Sequence, residues 1–99
     1  MLQDCNEMIK RFPHDGSGYY QRADAYAALK EFDKALADYA KMIEIDPMRP
    51  GPYINRALVY LQMNRPKDAL ADYEKALEKD PTYDSARQQI EKLKKQISG

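Results

Sequence analysis

The chain is poor in the residues from which chemical sites are built. Its 99 residues include one cysteine, Cys5, and one histidine, His14. A single cysteine allows no intrachain disulfide, so the expected compartment is a reducing one, the cytoplasm. Lysine and arginine number 16, aspartate and glutamate 16, and the formal net charge is zero. That balance removes the usual electrostatic case for a nucleic acid or an anionic membrane as partner. No apolar run approaches the roughly 20 residues of a membrane span. The opening MLQDCNEMIKRFP carries acidic residues and no small-residue cleavage site, unlike a secretory signal.

The same scarcity argues against catalysis. No Cys/His group has metal-ligand spacing, and His14 follows Pro13 in a loop, where a lone histidine is a surface residue. Glycines occur at Gly16, Gly18, Gly51 and Gly99, at helix boundaries or the end, so none builds a phosphate loop. Ser17, Ser85 and Ser98 have no histidine base at hand. The expectation is no catalytic residue, no metal, no cofactor and no enzymatic activity.

What the chain does have is internal periodicity. ALADY occurs at Ala35–Tyr39 and again at Ala69–Tyr73, 34 residues on. Pro13, Pro47 and Pro81 share that interval, and 13 of 34 positions are identical when 16–49 is laid over 50–83. Residues 1–15 join the register, with Leu2 on Leu36, Asp4 on Asp38, Met8 on Met42 and Ile9 on Ile43. The predicted organisation is one domain over 1–99. It comprises a half repeat (1–15), two full repeats (16–49 and 50–83) and a C-terminal capping helix (84–99).

Alanine, leucine, lysine and glutamate dominate over β-branched residues, which favours helix. Each full repeat splits in two. First helices are predicted over Ser17–Lys30 and Gly51–Asn64, second helices over Asp33–Ile45 and Lys67–Lys79. The second helices carry an i, i+1, i+4, i+7, i+8 apolar stripe: Ala35, Leu36, Tyr39, Met42, Ile43, then Ala69, Leu70, Tyr73, Ala76, Leu77. Met1, Leu2, Cys5, Met8 and Ile9 repeat it, with Cys5 in the tyrosine slot as a small buried hydrophobe. Asp-Pro ends each second helix, because the residue before proline is pushed out of the α region. Connections of a few residues make paired helices antiparallel neighbours. Ala86, Ile90, Leu93 and Ile97 form one stripe on an otherwise polar helix, as a terminal cap requires.

These residues resemble the tetratricopeptide repeat family, whose 34-residue pattern is W-x2-L-G-x2-Y, A-x3-F, P. Here it reads Tyr19-x2-Arg22-Ala23-x2-Tyr26, Ala35-x3-Tyr39, Pro47, and Tyr53-x2-Arg56-Ala57-x2-Tyr60, Ala69-x3-Tyr73, Pro81. The resemblance covers nearly the whole chain. It implies an all-α, right-handed superhelical solenoid of antiparallel helix pairs, with about six helices. Arg22 and Arg56 depart from it, standing where the family has an aliphatic residue. Each has an aspartate 16 residues on, Asp38 and Asp72. A charge in a half-buried slot needs a partner, so Arg22 and Arg56 are expected to pair with these aspartates, in their own or the adjacent repeat. The alternative has them reaching the groove to hold an acidic ligand.

The resemblance also implies binding. In such proteins the first helices line a concave groove that takes an extended peptide or a helix of a partner protein. Transferred here, the groove residues are Tyr20, Gln21 and Asp24, then Ile54, Asn55, Leu58, Leu61 and Gln62, with Gln88, Gln89 and Lys92 from the cap. Tyr20, Ile54 and Leu58 are large residues the core does not use, which implies a covered surface. One subclass clamps acidic C-terminal tails of heat-shock chaperones with basic residues and asparagines. Asn55 fits that pattern, but Tyr20 and Asp24 replace a lysine and an asparagine, and Ser85 and Gln89 stand where basic residues belong. The competing reading is a structural or self-assembling repeat element, a segment of a longer array or a designed or excised stretch with no dedicated ligand. It draws on the open stripe of the first helix, through which self-association is expected.

Overall fold

The computed structural model describes residues 2–98, and Met1 and Gly99, named above in the first stripe and among the glycines, lie outside them. Six helices and no strand occur among the described residues: α1 (Leu2–Arg11), α2 (Ser17–Ala28), α3 (Phe32–Ile45), α4 (Pro50–Gln62), α5 (Pro66–Lys79) and α6 (Asp84–Ser98). None of these helices is long and apolar enough to cross a membrane. The chain divides into two compact units, one ending at Met48 and the other starting at Arg49.

In the first unit α1 packs on α2 and α2 on α3. Its buried apolar residues are Cys5, Ala23, Ala25, Ala35, Tyr39 and Met42. Cys5 is 2% exposed, so the stripe of α1 is covered at that position, while Leu2 and Met8 are half-buried. Glycine makes the approach of α1 to α2 close. A methyl at Gly18 would lie 2.9 Å from Ile9 Cγ1 and 3.2 Å from the Ile9 main-chain nitrogen. Backbone cannot swing away as a side-chain tip can, so this position admits no larger residue without a shift.

In the second unit α4 packs on α5 and α5 on α6. Ala57, Ala69, Tyr73, Ala86, Ile90 and Leu93 form a buried cluster. Ile54, Tyr60, Leu61, Leu70, Leu77 and Tyr83 pack around it. Small alanines let the helices close on the ring of Tyr73, which supplies most of the filling volume.

The two helix pairs α2–α3 and α4–α5 turn in the same way. Lys30 and Asn64 adopt left-handed backbone, with φ of 60° and 59°. The first helices therefore stop at Ala28 and Gln62, two residues short of the predicted ends. The Glu31 N–H donates to Tyr26 O and the Arg65 N–H to Tyr60 O, both at 2.8 Å. Lys30 N–H reaches Ala27 O and Asn64 N–H reaches Leu61 O, both at 3.0 Å. These paired bonds satisfy carbonyls that a helix end leaves open. The second helices begin one residue earlier than predicted, at Phe32 and Pro66. Pro66 is tolerated because a first-turn N–H has no intrahelical acceptor to lose. At their ends Asp46 and Asp80 are non-helical, with φ of −142° and −140°. Their side chains accept from the Met48 and Thr82 N–H groups at 3.3 and 3.1 Å, so each Asp-Pro also closes its own turn.

Candidate functional site

Both ALADY aspartates are buried, and each faces the arginine of its own repeat. Arg22 Nε and Nη2 donate to Asp38 at 2.7 and 2.8 Å. Arg56 Nε and Nη2 donate to Asp72 at 2.8 and 2.7 Å. The two-pronged fork suits a planar guanidinium, which a lysine could not copy. Hydrogen bonding to the aspartate lifts each arginine above its ordinary pKa, against the lowering effect of burial. Tyrosine rings flank both guanidinium groups: Tyr19 and Tyr26 at 5.8 Å from Arg22, and Tyr53 at 5.9 Å from Arg56.

Arg22 has a further acceptor that spacing alone did not reveal. Its Nη1 donates to Asn6 Oδ1 on α1 at 2.9 Å. Asp4, the third aspartate in the register, is exposed, unlike Asp38 and Asp72.

On α2, Tyr20 is half-buried and meets the Tyr39 ring edge-on at 6.1 Å, while Gln21 and Asp24 are exposed. The Tyr39 hydroxyl donates to Asp24 Oδ1. Gln21 and Asp24 share a cavity of about 330 Å³ with Asp4, Cys5 and Ala25. Its rim is polar and acidic, and its floor is the small side chains of Cys5 and Ala25.

On α4 the corresponding face is apolar. Leu58, 34 residues after Asp24, is 47% exposed. Ile54 lies one turn before it and Leu61 one turn after, both half-buried against the core. Asn55 is half-buried and Gln62 exposed. Tyr73 is 2% exposed, and burial lifts its hydroxyl above the ordinary tyrosine pKa. On α6, Gln88 and Lys92 are exposed one turn apart and Gln89 is half-buried. A cavity of about 320 Å³ between α5 and α6, lined by Glu74, Leu77, Glu78, Ile90 and Lys94, includes none of the residues singled out from the sequence. Leu77 and Ile90 read there as ordinary core, so periodicity gave no signal for it. Among the described residues no three His, Cys, Asp or Glu side chains gather as a metal site would need.

Solved structures place this geometry. The TPR2B domain of yeast Sti1, in its complex with pHsp70, is 34% identical. It superposes with a TM-score of 0.85 over 96% of this chain and 81% of that one. The Arabidopsis OM64 TPR domain is 29% identical, with a TM-score of 0.86 over 95% of this chain and 78% of that one. The first TPR of Spaghetti (RPAP3), bound to the HSP90 peptide SRMEEVD, has a TM-score of 0.89 over 99% of this chain and 78% of that one, and at 21% identity attests the fold alone. Among curated proteins, the FK506-binding protein-like protein of Rattus norvegicus is 40% identical over 45 residues. That match spans 46% of this chain and 13% of the relative's length. A profile described as tetratricopeptide repeat matches residues 25–98. With helix pairs repeating every 34 residues, this match shows that the chain belongs to the tetratricopeptide repeat family.

Proposed function

We propose that the chain is a protein-interaction module that binds a peptide or a helix of a partner protein on the faces of its first helices, α2 and α4. The observation that carries this is Leu58, a large apolar side chain nearly half exposed in the middle of α4 beside Ile54. An exposed apolar shelf on a helix whose other face is already packed gains by being covered. The yeast Sti1 domain, 34% identical over 96% of this chain, is found in a complex with pHsp70, which supports a protein ligand here. The acidic surroundings of Asp4 and Asp24 disfavour an acidic tail in the first unit, where like charges repel. With one cysteine buried and no metal-ligand cluster among the described residues, binding rather than catalysis is the reading the residues support.

The test is a pull-down with the intact chain and with a Tyr20→Ala/Leu58→Asp double variant, each verified by circular dichroism. The variant should lose the proteins the wild type retains. Equal recovery by both would remove these faces from the function. Multi-angle light scattering of the free chain decides the rival reading. A concentration-dependent dimer that Leu58→Asp dissolves would assign the shelf to self-assembly.

A further inference from the structure

We propose that the second unit holds a subsite for a peptide main chain, in which the Tyr73 hydroxyl donates to a backbone carbonyl while the adjoining apolar side chain of the peptide rests on Leu58 and Ile54. This deepens, and rests on, the reading of α4 as a binding face.

The argument begins with two tyrosines in the same slot. Tyr39 and Tyr73 are 1% and 2% exposed, each at the end of an ALADY string. In the first unit the hydroxyl has an acceptor, the Asp24 carboxylate. The register that puts Tyr39 on Asp24 puts Tyr73 beside Leu58, which accepts nothing. Tyr73 makes no hydrogen bond to any described residue. Yet no buried side-chain nitrogen or oxygen is left without a partner. Its hydroxyl must therefore be the small part of the residue that reaches the surface, at the foot of Leu58.

Such a hydroxyl is well prepared to bind. Its ring is fixed by Ala57, Ala69, Ala86, Ile90 and Leu93, so little side-chain freedom remains to be lost. A water on the hydroxyl has an apolar wall on one side and few other partners, so a carbonyl can replace it without loss. Its neighbours Leu58 and Ile54, one helical turn apart, offer an apolar shelf to whatever side chain flanks that carbonyl. Burial already disfavours the charged form of the tyrosine, which keeps it a donor. The partner chemistry is then a neutral acceptor next to an apolar side chain, and a peptide bond followed by a residue such as leucine supplies both.

The experiment selects amidated random heptapeptides on the intact chain and measures their affinities by fluorescence polarisation. Wild type, Tyr73→Phe, Leu58→Asp and Tyr20→Ala are compared. Tyr73→Phe keeps the ring and the core. The selected peptides should share an apolar residue and weaken about three- to tenfold on Tyr73→Phe, the range of one net hydrogen bond. Leu58→Asp should weaken them further, since it removes the shelf and hands the hydroxyl an internal acceptor as in the first unit. Peptides that bind wild type and Tyr73→Phe equally, or that respond only to Tyr20→Ala, overturn the subsite and leave the binding reading standing. Enrichment of no peptide overturns both.

Discussion

The two helix pairs share their Arg–Asp fork, their left-handed turn and their Asp-Pro end, and differ where α2 carries Asp24 and α4 carries Leu58. In the first unit a carboxylate caps the buried tyrosine and leaves a polar rim. In the second an apolar side chain takes that place, and the tyrosine hydroxyl faces outward. The scaffold is thus repeated while the surface is not. What is identical between the copies serves packing, and what differs is open to selection by a partner.

Breaking the fork is the largest perturbation expected. Arg56→Glu puts a second carboxylate against Asp72, which is 4% exposed, and costs about 3 kcal/mol or more. A thermal melt should fall by roughly 10 °C or more, and an unchanged midpoint would show that the pair holds nothing. The same change at Arg22 tests whether the two forks are equivalent. Next comes Gly18→Ala, whose Cβ would press on Ile9 at 2.9 Å. It should destabilise by about 1–2 kcal/mol, read by urea midpoint, despite alanine's better helix propensity. The counterpart in the second repeat is Pro52, so this clash belongs to the first unit alone.

Two smaller effects sharpen the contrast. Burial raises the Tyr73 pKa, so the folded state keeps a proton that the unfolded chain loses. Stability from this group is complete below the unfolded tyrosine value near 10 and declines as pH rises through the folded value. Tyr73→Phe should flatten that alkaline decline in a pH series of urea melts. An identical slope would mean the hydroxyl feels no burial. Last, Lys30→Gly should stabilise by about 1 kcal/mol, because a lysine at φ 60° carries strain that glycine lacks. Asn64→Gly should give less, since asparagine tolerates that conformation.

Much of the fold was legible in the sequence because it is written twice. A 34-residue interval and a repeated stripe locate the helices and their order without any knowledge of their packing. Helix ends were less legible. Lys30 and Asn64 continue the helical composition, and only the Glu31 and Arg65 amides turning back show that the backbone has reversed. The polar contacts divide along the same line. An arginine and an aspartate at a constant interval in both copies are visible as a pattern. Asn6 on Arg22 and Asp24 on Tyr39 each occur once, on helices whose facing is set by the turn, and no periodicity announces them. The outward hydroxyl of Tyr73 is subtler still, since it follows from the lack of an acceptor at position 58.

The thin attachment of α1 has a kinetic consequence. Cys5 is its one buried residue, against three or four in each of α2 to α6, and Asn6 adds a hydrogen bond to Arg22. Local opening should therefore release α1 long before the chain unfolds globally. The chain's sole thiol becomes a clock for that event. Its alkylation rate, compared with that of an unfolded peptide, reads the opening equilibrium of one helix while the other five stay folded.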